Sequence, residues 1–409
     1  MKILIVQTFH YFRGGDCTYG FSLANLLKKK GHQINYFGMK HPLNLLCEDE
    51  KYFVDYIDFR EANANKNIIN GLKVVSRSIY SIQARAKFRK ILNDKNPDII
   101  HLQNLHGHLT PSILYEAKKN KIPVVMTLHD YKFICPNTHF LSHGIICEKC
   151  KGSKYYNCTL NKCKKESIPA SIIASLEAYI HKLQAITYKI DLFISPSNFL
   201  KNKFVEYGYD SSKVKVINNF LSDNIFSYDK EDTSEYIVYF GQLEIWKGVQ
   251  NLIAAAKELP GIQFKIIGEG SYKDKLTSIA NSLNVKNITF EGFKGKIELF
   301  KIIKQSKLII VPSEWYENYP YSIMEAMAQG KPVIASNIGG LPELVTHQET
   351  GLLFKAGNKN DLIMQIKKLY YNNNLLKTYS ENAYEFAKKN WNDEKYYSNI
   401  IYEYNKLIN

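Results

Sequence analysis

The chain has 409 residues, 45% of them hydrophobic, enough for a sizeable core in two or three domains and too many for a chain that is disordered as a whole. Lys and Arg number 54 against 39 Asp and Glu, a formal charge of +15, yet only five of the 54 are Arg, which argues against a protein that reads DNA through bidentate base contacts. The longest apolar runs, such as Leu308–Val311, are too short to span a bilayer and no signal peptide is legible, so the expected setting is the cytoplasm, with the positive surface drawn to the anionic inner face of the cell membrane.

In chain order, Lys2–Gln7 reads as a strand, Gly14-Gly15 as a turn, and Phe21–Leu27, ended by Gly31, as a helix with apolar residues at helical spacing. His32–Gly38 is the second strand. Ile99-Ile100, Val124–Leu128 and Leu192–Ser195 continue the series, with helical stretches between. Such alternation predicts a parallel α/β sheet. It restarts at Tyr236–Gly241 and runs through Phe264–Gly268, Ile288–Gly292, Leu308–Pro312 and Val333–Ser336. Two Rossmann-like domains are therefore expected, at 1–215 and 216–385. A helical, aromatic tail at 386–409 (Trp391, Tyr396, Tyr397, Tyr402, Tyr404) is expected to pack across both.

Two segments break the rhythm. Over Arg60–Asp94, basic residues alternate with Ile68, Leu72, Val75, Ile79, Ile82 and Phe88, the pattern of an amphipathic helix whose charged side is either plain solvated surface or a face for an acceptor or lipid. Near 135–163 lies an insertion with five of the seven cysteines. Cys147-x2-Cys150-x7-Cys158-x4-Cys163 has spacing compatible with a four-thiolate structural zinc site, with Cys135, His139 and His143 as alternates. The other reading is free thiols in a reducing compartment.

The densest chemistry lies between Pro312 and Glu343. Pro320 stops regular structure, and Ser322 sits three residues before Glu325, the spacing of a capping box that would open a helix at Ser322 and end it near Gly330. Its N-terminus would face the C-terminal end of a strand, where open α/β sheets bind ligands and free N–H groups suit a phosphate. Gly339-Gly340 can bring backbone to the same crevice. Glu317 and Glu325 can each accept from a pair of sugar hydroxyls. In the first half, His129-Asp130 follow a strand at its C-terminal end, which aims an imidazole into the crevice. His101, His106 and His108 form a second cluster, with His106 read as acceptor-side.

Glu317-x7-Glu325, continuing as E-A-M-A-x-G-x-P-V-I-A-S-x-x-G-G-x-P-E to Glu343, resembles the retaining glycosyltransferases of family 4. Phe240-Gly241-Gln242-Leu243 with Lys247-Gly248 is similar to that family's G-R-L…K-G motif, and Gly14-Gly15 to its N-terminal glycine loop. The resemblance implies the GT-B fold: two Rossmann-like domains facing across a cleft, the C-terminal helix crossing back to the first. It implies transfer of a hexose from a nucleotide-sugar to a lipid-linked or polysaccharide hydroxyl, as in bacterial cell-surface polysaccharide biosynthesis, with no catalytic metal and no nucleic acid.

By the same resemblance, Gly14, Gly15, Gln242, Lys247, Glu317, Tyr321, Ser322 and Glu325 hold the donor. Glu325 takes the ribose hydroxyls, Glu317 the hydroxyls of the transferred sugar, and Lys247 the diphosphate, helped by the amides near Tyr321-Ser322. His129 lies against the transferred sugar, and Arg13, His106 and Asp130 face the acceptor. Family members usually carry arginine where this chain has Gln242, a neutral donor without the cationic fork. Lys247 and Arg13 are the candidate substitutes. The alternatives are a transferase for a soluble sugar acceptor and a non-catalytic nucleotide-sugar-binding protein.

Overall fold

The computed structural model describes residues 1–56, 79–105, 107–228 and 234–409. The first half runs β1 (Lys2–Phe9), α1 (Gly15–Lys29), β2 (Gln33–Met39), α2 (Ile82–Lys95), β3 (Ile99–Leu102), α3 (Ile113–Lys119) and β4 (Val124–Thr127). A short hairpin, β5 (Leu141–Ser142) and β6 (Ile145–Ile146), precedes α4 (Tyr156–Leu160), α5 (Ile168–Leu183), β7 (Leu192–Ser195), α6 (Asn198–Glu206) and β8 (Val214–Val216). These strands form a parallel sheet in the order β2-β1-β3-β4-β7-β8, the hairpin standing apart.

The second half repeats the plan with β9 (Tyr236–Phe240), α7 (Val249–Lys257), β10 (Gln263–Ile267), α8 (Lys273–Ser282), β11 (Ile288–Gly292), α9 (Lys296–Gln305) and β12 (Leu308–Val311). It continues through α10 (Tyr321–Ala328), β13 (Val333–Ser336), α11 (Leu341–Leu344), β14 (Gly351–Phe354), α12 (Lys359–Tyr370), α13 (Asn373–Asn390) and α14 (Asp393–Ile408). Its sheet is also parallel, ordered β11-β10-β9-β12-β13-β14. In both sheets the central strands are buried along their whole length (Ile99–Leu102, Val124–Thr127, Leu308–Val311, Val333–Ser336). Helices on both faces explain why those strands read as unbroken apolar runs.

Three expectations shift. The 215/216 boundary falls inside β8, which pairs with β7 and completes the first sheet, so the chain leaves the first half only after Val216. The return crossing begins near Trp391 rather than 386: α13 packs on α10 in the second half, and Leu221 N donates to Trp391 O where the two crossings meet. Beyond it α14 buries Tyr396, Ile400 and Tyr404, spaced four apart, among Ile3, Ile5 and Val125 of the first half. Each fully buried side chain of this size contributes about 1.5–3 kcal/mol, so Ile400→Asp would release the helix. Finally, α10 starts at Tyr321 with Pro320 at the N-cap and no side-chain cap. The Ser322–Glu325 capping box does not form, because Ser322 is already inside the first turn. Of the 60–94 segment, the portion 60–78 lies outside the described residues. The remainder holds α2, whose Arg85 and Arg89 are paired with the buried Glu116.

Candidate active site

The site is organised by the loop 312–320, which leaves β12 and leads into α10. Glu317 is 5% exposed and its Oε1 accepts from Lys247 Nζ and from Ser313 Oγ, both at 2.6 Å. Burial alone would raise this carboxyl, but the adjacent ammonium and the hydroxyl outweigh it and hold the group below the usual carboxylate range. Lys247 ends the turn after β9 and also lies over the Trp315 ring, 5.1 Å from its centre. Its placement depends on Gly248, at φ 73°, where a Cβ would meet Pro312 O at 1.8 Å. Only glycine lets the two loops run this close.

The residues around Glu317 fasten the loop to the first half. Tyr316 OH donates to Glu148 Oε1 at 2.8 Å, and Tyr131 OH to Tyr316 O at 3.0 Å. Asn318 Nδ2 donates to Leu128 O at 3.2 Å, and Ser197 Oγ, the N-cap of α6, donates to Asn318 Oδ1 at 2.8 Å. Asn219 Nδ2 reaches Tyr319 O at 3.2 Å. One turn away, Glu343 of α11 accepts the first N–H groups of α6, from Asn198 at 2.7 Å and Phe199 at 2.6 Å. A carboxylate at a helix N-terminus completes orphan donors and suits the dipole, so this contact clasps the halves together.

Because Leu128 bonds Asn318, its neighbour His129 comes to the Glu317 side of the cleft. His129 Nε2 is 2.9 Å from Gln103 Oε1, and the ring stands edge-on to Tyr19 at 5.0 Å. Tyr19 OH in turn bonds Thr127 Oγ1 at 3.0 Å and Tyr396 OH. His101 bonds Thr127 Oγ1 at 2.7 Å and Tyr404 OH, and burial pushes its imidazole down to about 3. His101 is thus a neutral strut to α14. Asp130 Oδ1 accepts the backbone N–H of Lys132 at 2.8 Å. His106 lies outside the described residues, and His108 is buried and stacked on Tyr56.

The remaining expected donor residues spread around the same cleft. Gly14 is the N-cap of α1, and a Cβ on Gly15 would lie 3.7 Å from Tyr321 Cδ2, so the N-termini of α1 and α10 approach each other across the halves. Tyr321 packs into the cores of both halves. Ser322 and Glu325 are partly buried. Burial pushes the Glu325 carboxyl up to about 7, with Lys296 pulling it the other way, and no hydrogen bond among the described residues holds it. Gln242 is exposed on the turn after β9, and Arg13 is exposed with its guanidinium 4.1 Å from the centre of the Phe9 ring. The cation the fold sets beside Glu317 is Lys247.

The Cys-rich insertion forms a wall of this cleft. His139 lies 5.7 Å from Trp246 and 5.6 Å from Trp315, so one imidazole of the first half meets the two indoles that flank Lys247 and Glu317. Phe140 packs edge-on to Tyr316 at 6.1 Å. Sequence reasoning weighed His139 only as a spare metal ligand and passed over both tryptophans; Trp246 beside Lys247 and Trp315 beside the acid motif were the available signal. It also passed over Ser313 and Asn318. Behind this wall Cys158 and Cys163 are hydrogen-bonded thiols, which raises Cys158 and lowers Cys163. They pack with Cys150 and Ala174. Among the described residues no three His, Cys, Asp or Glu are arranged to hold a metal ion, and Cys147, Cys150, Cys158 and Cys163 stand as free thiols.

Gly339 and Gly340 back the loop: Gly340 N donates to Glu317 O at 2.7 Å, and a Cβ on Gly340 would lie 1.9 Å from Asn318 O. Gly340→Ala is therefore expected to push the loop outward and lower turnover about 100-fold, the scale of a 1 Å misplacement. Its φ of −84° suits alanine, so any fall in the unfolding midpoint comes from this contact and not from backbone strain. Steady-state rates beside thermal melts check this; unchanged turnover would mean the loop position is immaterial.

Comparisons with known proteins agree with this architecture. Residues 13–224 match the family described as Glycosyltransferase Family 4, and residues 222–386 the family described as Glycosyl transferases group 1. An uncharacterized glycosyltransferase of Methanocaldococcus jannaschii is 26% identical over 95% of this chain and 94% of its own length. An uncharacterized 42.6 kDa protein in the cps region of Klebsiella pneumoniae is 25% identical over 84% of this chain and 87% of its own. The N-acetyl-alpha-D-glucosaminyl L-malate synthase of Bacillus anthracis is 22% identical over 98% and 97%. Among solved structures, Anabaena HepE in complex with UDP superposes with a TM-score of 0.69 at 18% identity, covering 99% of this chain and all of that one.

Proposed function

This chain belongs to glycosyltransferase family 4 and has the GT-B fold, and from that premise we propose that it moves a hexose, with retention of anomeric configuration, from a nucleoside diphosphate sugar to the hydroxyl of a lipid-linked or polysaccharide acceptor. The loop 312–320 carries this reading. It sets a buried carboxylate and its lysine, Glu317 and Lys247, at the strand end that bears His129. The second half then holds the donor: Glu325 accepts the ribose hydroxyls, Lys247 and the uncapped N–H groups at the start of α10 meet the diphosphate, and Glu317 accepts from the sugar. His129 lies against the transferred sugar. As the glycosidic bond to the diphosphate breaks, positive charge grows on the sugar and negative charge on the leaving phosphate. The leaving phosphate takes the proton of the attacking hydroxyl on the same face, so no divalent cation is required and activity should survive chelator. Gly14, Gly15, Tyr321 and Ser322 shape the phosphate crevice, and Arg13 and Asp130 face the acceptor. The cps-region relative supports a surface-polysaccharide acceptor. The malate synthase relative favours a second reading, a small soluble acceptor.

Calorimetric titration with UDP-, GDP-, ADP- and dTDP-sugars in chelator tests the proposal, and the complexes of similar folds with UDP make UDP-glucose the first probe. Selective micromolar binding supports a donor site; no binding to any of the four refutes it. Binding without hydrolysis or transfer would instead fit a sugar-nucleotide-binding protein whose Gln242 marks lost catalysis. A pH series adds a sharper expectation. With the Glu325 carboxyl near 7, about a tenth is ionised at pH 6 and about nine-tenths at pH 8. Ribose hydroxyls donate best to the ionised form, so donor affinity should be about tenfold tighter at pH 8 than at pH 6. Glu325→Gln should weaken binding and flatten that dependence. A flat wild-type profile would remove Glu325 from the ribose.

A further inference from the structure

Helix α5 is built inside out. The side chains it buries are Ser171, Ala174 and Ser175. Ile168, Ile172, Leu176 and Leu183 are 48%, 41%, 50% and 85% exposed. Their spacing, i, i+4, i+8 and i+15, places them on one stripe. Leu160 of α4, which packs on α5, adds a further side chain at 72% exposure. Single exposed aliphatics need no explanation, but a stripe along one helix does.

Charge narrows what covers it. Residues 149–189 contain eight lysines against two glutamates, and one of the two, Glu177, is paired with Lys132 at 2.6 Å. Lys151 is paired with Glu206, yet the segment keeps a net positive charge, so a second copy meeting the stripe would set like charge against like and self-association through this face is opposed. An anionic, apolar partner matches it. The helix belongs to the first half, which also carries His129 and Asp130, and a cavity of about 440 Å³ lined by Lys132, Lys182 and Lys213 opens along its edge away from the stripe.

We propose that α5 docks the chain on anionic lipid bilayers, lying in the plane of the interface with its aliphatic stripe in the headgroup boundary and the surrounding lysines on lipid phosphates. The first half, which bears His129, is thereby anchored at the membrane that a lipid-linked hydroxyl occupies. The docking rests on the glycosyl-transfer reading only for what the membrane delivers. Flotation needs no donor and donor titration needs no membrane, so failure of one is distinguishable from failure of the other.

The test is flotation of the full chain with vesicles of mixed phosphatidylglycerol and phosphatidylcholine, and with phosphatidylcholine alone. Binding is expected to the mixed vesicles only and to weaken with salt. Ile172→Ser/Leu176→Ser/Leu183→Ser should lower the bound fraction at least about fivefold with an unchanged melting midpoint, because the removed groups are apolar anchors at the surface. Lys165→Glu/Lys182→Glu should do the same through charge. Failure of the wild type to float with anionic vesicles, or undiminished binding by both variants, overturns the proposal. So does light scattering that shows a wild-type dimer which the serine substitutions split, since a second copy would then cover the stripe.

Discussion

Lys247→Met is expected to lower both turnover and stability, and to invert the pH dependence of the latter. Glu317 is buried, and its Oε1 depends on the Lys247 ammonium at 2.6 Å, with Ser313 supplying the other contact. Removing one partner of a buried pair leaves an uncompensated charge and costs about 3–5 kcal/mol. The sign follows from the shift. In the native chain the Glu317 carboxyl is held below its unfolded value, so the stability it contributes is present above the ordinary carboxylate range and is lost as pH falls through the folded value. Without Lys247 burial is opposed only by the Ser313 hydroxyl and the Trp315 indole. The carboxyl then titrates above its unfolded value, and the variant loses stability as pH rises. Denaturant unfolding at pH 5 and pH 8 should therefore show Lys247→Met closest to wild type at pH 5 and furthest from it at pH 8. The double variant Lys247→Met/Glu317→Gln should recover most of the loss at pH 8 and none of the turnover, which should stay down by at least about 100-fold because the charge we propose for the diphosphate is gone. Wild-type stability of the single variant at pH 8 would show that the pair is not coupled.

That experiment joins two motifs the sequence displays and does not connect. Lys247-Gly248 and Glu317-x7-Glu325 are each legible as strings; only the fold shows that the lysine of one neutralises the first acid of the other. The central parallel strands are legible because burial on both faces writes them as unbroken apolar runs, and Leu192–Ser195 and Val333–Ser336 agree to the residue, as does the edge strand Ile288–Gly292. β8 is not, since Val-Lys-Val with its central, half-buried lysine looks like a linker. The helix at Glu325 was found and its start misplaced by one residue, a small shift with a chemical consequence: Glu325 caps nothing and stays available to a ligand. α5 is the opposite case. Its Ile and Leu spacing is that of an ordinary amphipathic helix, and nothing local says that the apolar side faces out. His139, His101 and Glu343 likewise take their roles from partners more than 100 residues away, beyond the reach of spacing arguments.

His129→Ala separates the contributions of the two halves. The imidazole is held by Gln103 and braced edge-on by Tyr19, whose hydroxyl is tied to Thr127 and α14. That bracing does not pass through His129, and the Leu128–Asn318 bond next to it uses backbone. Truncation should leave the loop 312–320 and the donor residues of the second half in place. Nucleotide-sugar affinity is then expected to stay within about twofold, while turnover falls about 100- to 1,000-fold, the scale for one preorganised group at a centre of developing charge. Gln103→Leu, which removes one hydrogen bond that orients the ring, should lower turnover by about tenfold, since the imidazole remains but is held less firmly. A parallel fall in affinity and turnover would make His129 a ground-state binding group. Unchanged turnover would remove it from the reaction and return the chemistry to Lys247, Glu317 and the α10 amides alone. Loss confined to turnover, graded from His129 to Gln103, is the outcome that requires both halves at the transition state, and it would explain why the cleft is fastened at the loop beside this histidine.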